Sequence, residues 1–183
     1  MTLQNDKITL RPLEQRDIPD YQRWLLDEPD PESWDVAWDS NDEDDDGEGE
    51  ALMQRLRESV GKPRDIFYSL EVDNEHGEHI GRISAYFFEE GTKIAVGIDL
   101  LDVSQRGNGY GKSALSLYIS YLFDKHDVDK IYTQTLSGNV AMIGLAKKVG
   151  FKLSKTTPSV RSLRGQVYDG LEFCIGREEF FWS

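Results

Sequence analysis

Between Gln105 and Lys112 the chain reads Gln105-Arg106-Gly107-Asn108-Gly109-Tyr110-Gly111-Lys112, three glycines on alternate positions with cations at Arg106 and Lys112. Alternating glycines let a backbone bend so that successive N–H groups point into one concavity. An amphipathic stretch follows, and the positive end of a helix dipole would face the same place. The expected guest is an anion, a phosphate above all. The competing reading is a tight turn that uses glycine for steric reasons. Asp99, in Val96-Gly97-Ile98-Asp99-Leu100, lies just before this loop. A carboxylate amid apolar neighbours there would have a raised pKa and could act as a general base. The alternative is a strand-end aspartate facing solvent. Trp34 and Trp38 interleave with Asp35 and Asp39, and aromatic faces beside carboxylates suit an ammonium group or the anchoring of a loop.

Two phosphate-binding patterns fail on this loop. A nucleotide P-loop ends as Gly111-Lys112-Ser113 does, but its first glycine would fall on Arg106. The dinucleotide pattern Gly-x-Gly-x-x-Gly fits Gly107 and Gly109 and then meets Lys112.

The elements that must position these residues follow from periodicity. Strands are expected at Ile8–Leu13, Ile66–Val72, His79–Phe88, Thr92–Leu101, Asp129–Leu136, Phe151–Ser154 and Val167–Ile175. Helices are expected at Glu14–Leu26, with Asp17 as cap and Pro19 in the first turn, and at Ala51–Val60, Tyr110–Lys125 and Asn139–Val149. The first half suits an antiparallel meander and the second half strand–helix–strand units. The reading is one mixed α/β domain over residues 1–183, with its ligand crevice where the fourth strand feeds the glycine loop.

The charge is concentrated. Asp27–Glu50 holds 13 acidic residues and no basic one, and removing it leaves 21 acidic against 21 basic residues. Such a segment repels phosphate backbones, which argues against nucleic acid, and attracts a polycation. Asn41–Glu50, rich in Asp, Glu and Gly, reads equally as a solvated, mobile loop. The opening residues lack a secretory pattern, no apolar run is long enough to span a membrane, and Cys174 has no partner for a disulfide. A cytoplasmic location is therefore expected. His76 and His79 flank a turn without further ligands, so no metal is expected.

Gln105–Gly111 resembles the Gln/Arg-x-x-Gly-x-Gly/Ala loop of the GNAT superfamily of acyl-CoA-dependent N-acyltransferases. Asn139-Val140-Ala141-Met142-Ile143-Gly144-Leu145-Ala146-Lys147-Lys148-Val149-Gly150-Phe151 is similar, without gaps, to that family's Asn-x-x-Ala-(apolar)-x-Leu-Tyr-x-Lys-(apolar)-Gly-Phe segment. Ile8-Thr9-Leu10-Arg11-Pro12-Leu13 looks like its opening strand, and Gly165-Gln166-Val167-Tyr168-Asp169 resembles the closing hairpin of the spermidine and ribosomal-protein branch. The resemblance implies a mostly antiparallel central sheet of about seven strands flanked by about four helices. It implies acetyl-CoA as co-substrate and a homodimer, which is common among relatives. Backbone groups of Leu101 and Val103 would hold the pantetheine arm like an added strand. Arg106, Gly107, Asn108, Gly109, Tyr110, Gly111 and Lys112 would bind the pyrophosphate, and Asn139 would touch the cofactor near the thioester arm. Asn139 also serves as a helix cap. The Gly97-Ile98-Asp99 run looks like the corresponding strand of some aminoglycoside 6'-N-acetyltransferases, where an aspartate at this place is thought to act on the amine.

The chain departs from the family at Ala146, which stands in the slot of the usual proton-donating tyrosine. Tyr168, Tyr110 and Ser137 are possible stand-ins, and Tyr168 is taken as the catalytic candidate beside Asp99. Trp34, Asp35 and Trp38 are the acceptor-binding candidates. Three functions are carried forward: acetylation of a small cationic amine such as an aminoglycoside or polyamine, acetylation of a protein N-terminus, and binding of acyl-CoA without catalysis.

Overall fold

The computed structural model describes residues 1–32, 34, 48–62 and 69–180. Eight strands make one sheet: β1 (Leu3–Gln4), β2 (Ile8–Arg11), β3 (Ser69–Asn74), β4 (His79–Phe88), β5 (Lys93–Asp99), β6 (Lys130–Leu136), β7 (Lys152–Leu163) and β8 (Gln166–Gly176). They lie in the order β1-β2-β3-β4-β5-β6-β8-β7. Four α-helices accompany them: α1 (Ile18–Gln22), α2 (Glu48–Ser59), α3 (Tyr110–Lys125) and α4 (Val140–Val149). All neighbouring strands run antiparallel except β5 and β6, whose parallel pairing needs a crossover that α3 supplies. The mixed, mostly antiparallel sheet is the one expected, with β1 as an eighth strand that pairs Leu3 with Leu10.

One face of the sheet carries the main core. Ile8, Leu10, Val72, Ile83, Ile94, Val96, Ile131, Phe173 and Ile175 pack there with Leu115, Tyr118, Ile119 and Leu122 of α3. The α3 residues recur at the spacing of one helical face, and burying each such side chain stabilises the fold by about 1.5–3 kcal/mol. On the other face, Leu13, Ile18, Tyr21 and Trp24 meet Met53 and Leu56 in a second cluster.

Three local features differ from the sequence reading. The helix expected over Glu14–Leu26 is a 3-10 turn (Gln15–Asp17), then α1, then a π turn (Arg23–Asp27) closed by Glu28 N–H donating to the Arg23 carbonyl at 2.7 Å. The helix expected from Ala51 begins three residues earlier, at Glu48. The strand expected at Phe151–Ser154 continues to Leu163. Its side chains are exposed on both faces, so no alternation marked it.

Asp17 is not a side-chain cap of α1. Its carboxylate accepts two 2.7 Å bonds from the Arg11 guanidinium and a third, at 2.8 Å, from Glu14 N–H. Arg11 also donates twice to Asp73 at 2.7 Å. Both partners are buried, so removing one side of this fork would leave a bare charge and cost about 3–5 kcal/mol. The next strand continues the charge pattern. Arg11, Glu71, Arg82 and Asp99 are successive cross-strand partners on β2, β3, β4 and β5, which places alternating charges in one row across the face beneath α1.

Candidate active site

The parallel pairing of β5 with β6 covers only Ile94–Ile131 and Ala95–Tyr132. Thr133 Oγ1 donates to the Val96 carbonyl at 2.8 Å just past that point. Beyond it β6 pairs only with β8, through Leu136 and Gly170, and the two parallel strands part. A strand edge with open backbone groups is a template for an added extended chain. Asp99 ends β5 on one lip of this opening, and α4 starts on the other.

The glycine loop closes the near end. Gly107 and Gly109 both sit at φ +86°, a left-handed conformation that side chains disfavour. Gly109 caps α3, leaving the first turn of that 16-residue helix to present its N–H groups. Gly111 lies against Leu145 of α4, where an added Cβ would stand 3.2 Å from a methyl carbon, so α3 and α4 meet closely behind the loop. Tyr110 contributes its backbone only. Its hydroxyl is bonded to Glu75 in the β3–β4 turn, which removes it as a proton donor. Lys112 is exposed on the first turn. Lys7 was not foreseen: its Nζ donates to the Asn108 carbonyl at 3.2 Å from the β1–β2 turn, adding a third cation to the loop. The sequence holds no local signal for a contact spanning so many residues.

Leu101 joins the second core cluster and Val103 is half-exposed. The Val103 carbonyl accepts Arg106 N–H at 3.2 Å. Asn139 caps α4 by accepting Met142 N–H at 3.0 Å, the structural one of its two expected roles. Ala146 is fully buried in the main core.

Asp99 is not amid apolar neighbours. Arg82 Nε donates to its Oδ2 at 3.1 Å, and the side chain is 29% exposed. The carboxylate is thus ion-paired and partly open to water, where the sequence suggested apolar burial. Gly81, one residue before Arg82, makes that position possible: a Cβ there would fall 2.0 Å from the Asp99 carbonyl oxygen. A lone glycine inside a strand pattern was the available signal.

A strap crosses from the loop to the hairpin. Arg106 donates through Nε to the Leu100 carbonyl at 2.9 Å and through Nη1 to Asp30 at 2.8 Å. Burial pushes the Asp30 carboxyl up, but the Glu32 N–H and the Arg106 pair outweigh it and hold the group below the usual carboxylate range. A few residues on, Trp34 meets Tyr168 edge-on at 5.2 Å, and the Arg164 guanidinium stands 5.8 Å over the indole. Gly138 makes room for both rings: a Cβ there would lie 2.4 Å from each. Trp34 and Tyr168, predicted separately, therefore meet beside the start of α4. Tyr168 donates to Gln166 at 2.5 Å, and the Ser137 hydroxyl is turned to Asp169 N–H at 3.0 Å. The expectations for Asp35 and Trp38 lie outside the described residues. Among the described residues no helix is long and apolar enough to cross a membrane.

Comparison with known proteins follows the same lines. A family model described as acetyltransferase (GNAT) domain matches residues 7–152. A GNAT-family acetyltransferase from Bacillus anthracis superposes with a TM-score of 0.75 at 14% identity, covering 98% of this chain and 100% of that one. An acetyl transferase from Salmonella typhimurium that modifies the N-terminal serine of a 50S ribosomal subunit protein gives 0.72 at 15%, covering 96% and 99%. A chimera of spermidine N-acetyltransferase SpeG from Vibrio cholerae and hSSAT gives 0.70 at 14%, covering 93% and 96%. No curated protein matches the sequence.

Proposed function

The chain belongs to the GNAT acetyltransferase family, and from that premise we propose that it moves acetyl from acetyl-CoA to the primary amine of a small cationic acceptor, an aminoglycoside or polyamine. The observation that carries the reading is the parting of β5 and β6 with Asp99 on its lip and the glycine loop at its foot.

In this reading the diphosphate rests on the N–H groups of residues 107–112, flanked by Lys7, Arg106 and Lys112. The pantetheine arm extends along the free edge of β5 past Leu101 and Val103, and reaches Asn139. Trp34 receives the acceptor beside Tyr168, and Asp35, Trp38 and the acidic segment are the further candidates for recognising its charge. An alkylammonium has a pKa of about 10 and must lose a proton before it attacks. Asp99 accepts that proton, directly or through water. The amine nitrogen bonds to the thioester carbon, the C–S bond breaks, and the thiolate takes a proton from Tyr168 once its hydroxyl leaves Gln166. With Ala146 in place of a tyrosine, positioning in a ternary complex carries much of the rate.

Free-CoA release measured over a panel of polyamines, aminoglycosides and N-terminal peptides tests the reading. Turnover on the polycations is expected, and turnover confined to peptides would transfer the acceptor to protein N-termini. Asp99→Asn should cut kcat by roughly 10²-fold or more. A change under about twofold takes Asp99 out of the proton path. Calorimetry that finds no affinity for CoA ends the proposal.

A further inference from the structure

Away from Asp99, on the same face of the sheet, β8 carries a carboxylate that nothing above employs. Glu172 pairs across β6 with Gln134, two residues beyond Tyr132, where β6 leaves β5. Its side chain is only 9% exposed. One oxygen accepts Ser154 Oγ at 3.1 Å, and the other lies 3.5 Å from Gln134 Nε2. Gln134 in turn accepts the Tyr86 hydroxyl at 3.1 Å. The nearest cation is Lys93, whose Nζ stands 3.7 Å away, beyond hydrogen-bond reach, because Glu89 holds it at 2.9 Å. Lys93 is therefore shared between two carboxylates, the exposed Glu89 and the buried Glu172. The same ammonium stands 4.6 Å over the Tyr132 ring and 5.4 Å over the Phe88 ring, and those rings meet edge-on at 5.4 Å. Two aromatic faces and a buried carboxylate around an ammonium form a cation cage.

We infer that Glu172, Tyr132 and Phe88 form a second ammonium site, which takes a distal cationic group of the acceptor and which Lys93 fills when the acceptor is absent. The inference rests on the proposed amine acetylation and narrows it. A cage on the face of Asp99, toward the start of β5, favours acceptors long enough to carry a second cationic group over monoamines.

Spermidine binding to the full chain in the presence of CoA, measured by calorimetry, tests the site. Lys93→Met empties the cage while keeping the aliphatic stem, and should tighten spermidine by about fivefold or more, the scale of a desolvated cation–π contact. Adding Glu172→Gln to that variant should reverse the gain. Lys93→Gln, with a shorter neutral side chain, should tighten binding in the same direction if Lys93→Met misfolds by circular dichroism. A spermidine affinity within twofold of wild type in a folded Lys93 variant overturns the inference. So does a gain that survives Glu172→Gln, since it would reflect net charge alone. Loss of CoA binding by the unaltered chain would instead sink the acetyltransfer reading on which the cage depends.

Discussion

The two walls of the opening are built by different means. The wall proposed for the cofactor is a run of eight consecutive residues that would act through the backbone: left-handed glycines and the first turn of α3. The wall proposed for the acceptor is assembled from side chains brought together across the chain. Asp30 meets Arg106, 76 residues away, and Tyr86 meets Gln134, 48 residues away. A site made of N–H groups needs a local conformation and can be carried by a short motif. A site made of charges and rings needs the finished fold, and its residues can be exchanged without disturbing the loop.

Breaking each wall separately should separate the two functions. Gly109→Val forces a β-branched residue into φ +86° at the helix cap, beside Lys7 Nζ. Strain of about 1–3 kcal/mol placed on the glycine loop should weaken CoA by roughly 5- to 150-fold. Calorimetry reads the loss, and circular dichroism should show the fold retained. Gly138→Ala acts on the opposite wall, where the new methyl must displace the Trp34 and Tyr168 rings. Overpacking of about 1–3 kcal/mol should raise the acceptor KM by roughly tenfold and leave CoA affinity within about twofold. If Gly138→Ala weakened CoA as much as Gly109→Val does, the two walls would be one unit and the comparison would fail.

This division also explains what could be read from the chain. The glycine loop, the α3 stripe and the meander were legible because each depends on spacing within one element. The Arg11 fork was not, since Arg11 meets Asp73 across 62 residues and nothing near Asp17 marks it as an ion-pair partner rather than a cap. Asp99 was singled out by position, and its Arg82 partner went unseen because it comes from the neighbouring strand. Glu172 sat unremarked in the alternating run Val167–Ile175, its burial supplied by β6 and β7. Short motifs carry backbone geometry, and tertiary contact decides what a charged side chain does.

The smallest expected effect concerns how the acceptor wall is tied down. The strap that carries Asp30 and Trp34 follows α1, and α1 is held to the sheet through His79. Its Nε2 lies 3.1 Å from Glu71 and its Nδ1 lies 3.3 Å from Asp20 and 3.7 Å from Asp17. Tyr21 donates to the same Glu71 oxygen at 2.6 Å, Trp24 packs on the imidazole at 4.9 Å, and Asp73 is its cross-strand partner. Arg16 and Arg23 line the adjoining cleft of about 370 Å³. Burial alone would lower the His79 pKa, but the bond to Glu71 and the charges of Glu71, Asp17 and Asp20 outweigh it and raise the value above 6.5. A group whose pKa is raised by folding stabilises fully below its unfolded value and loses that contribution as pH rises through its folded value. Asp17 has the opposite sign: its lowered pKa stabilises above 3.8 and is lost as pH falls. The stability of wild type relative to His79→Gln should therefore be greatest near pH 5.5 and shrink progressively above about 6.5. Urea unfolding at a series of pH values reads the difference. A constant difference from pH 5.5 to 9 would mean that His79 does not gain a proton on docking α1, and the acceptor wall would then be held by packing and the arginine fork alone.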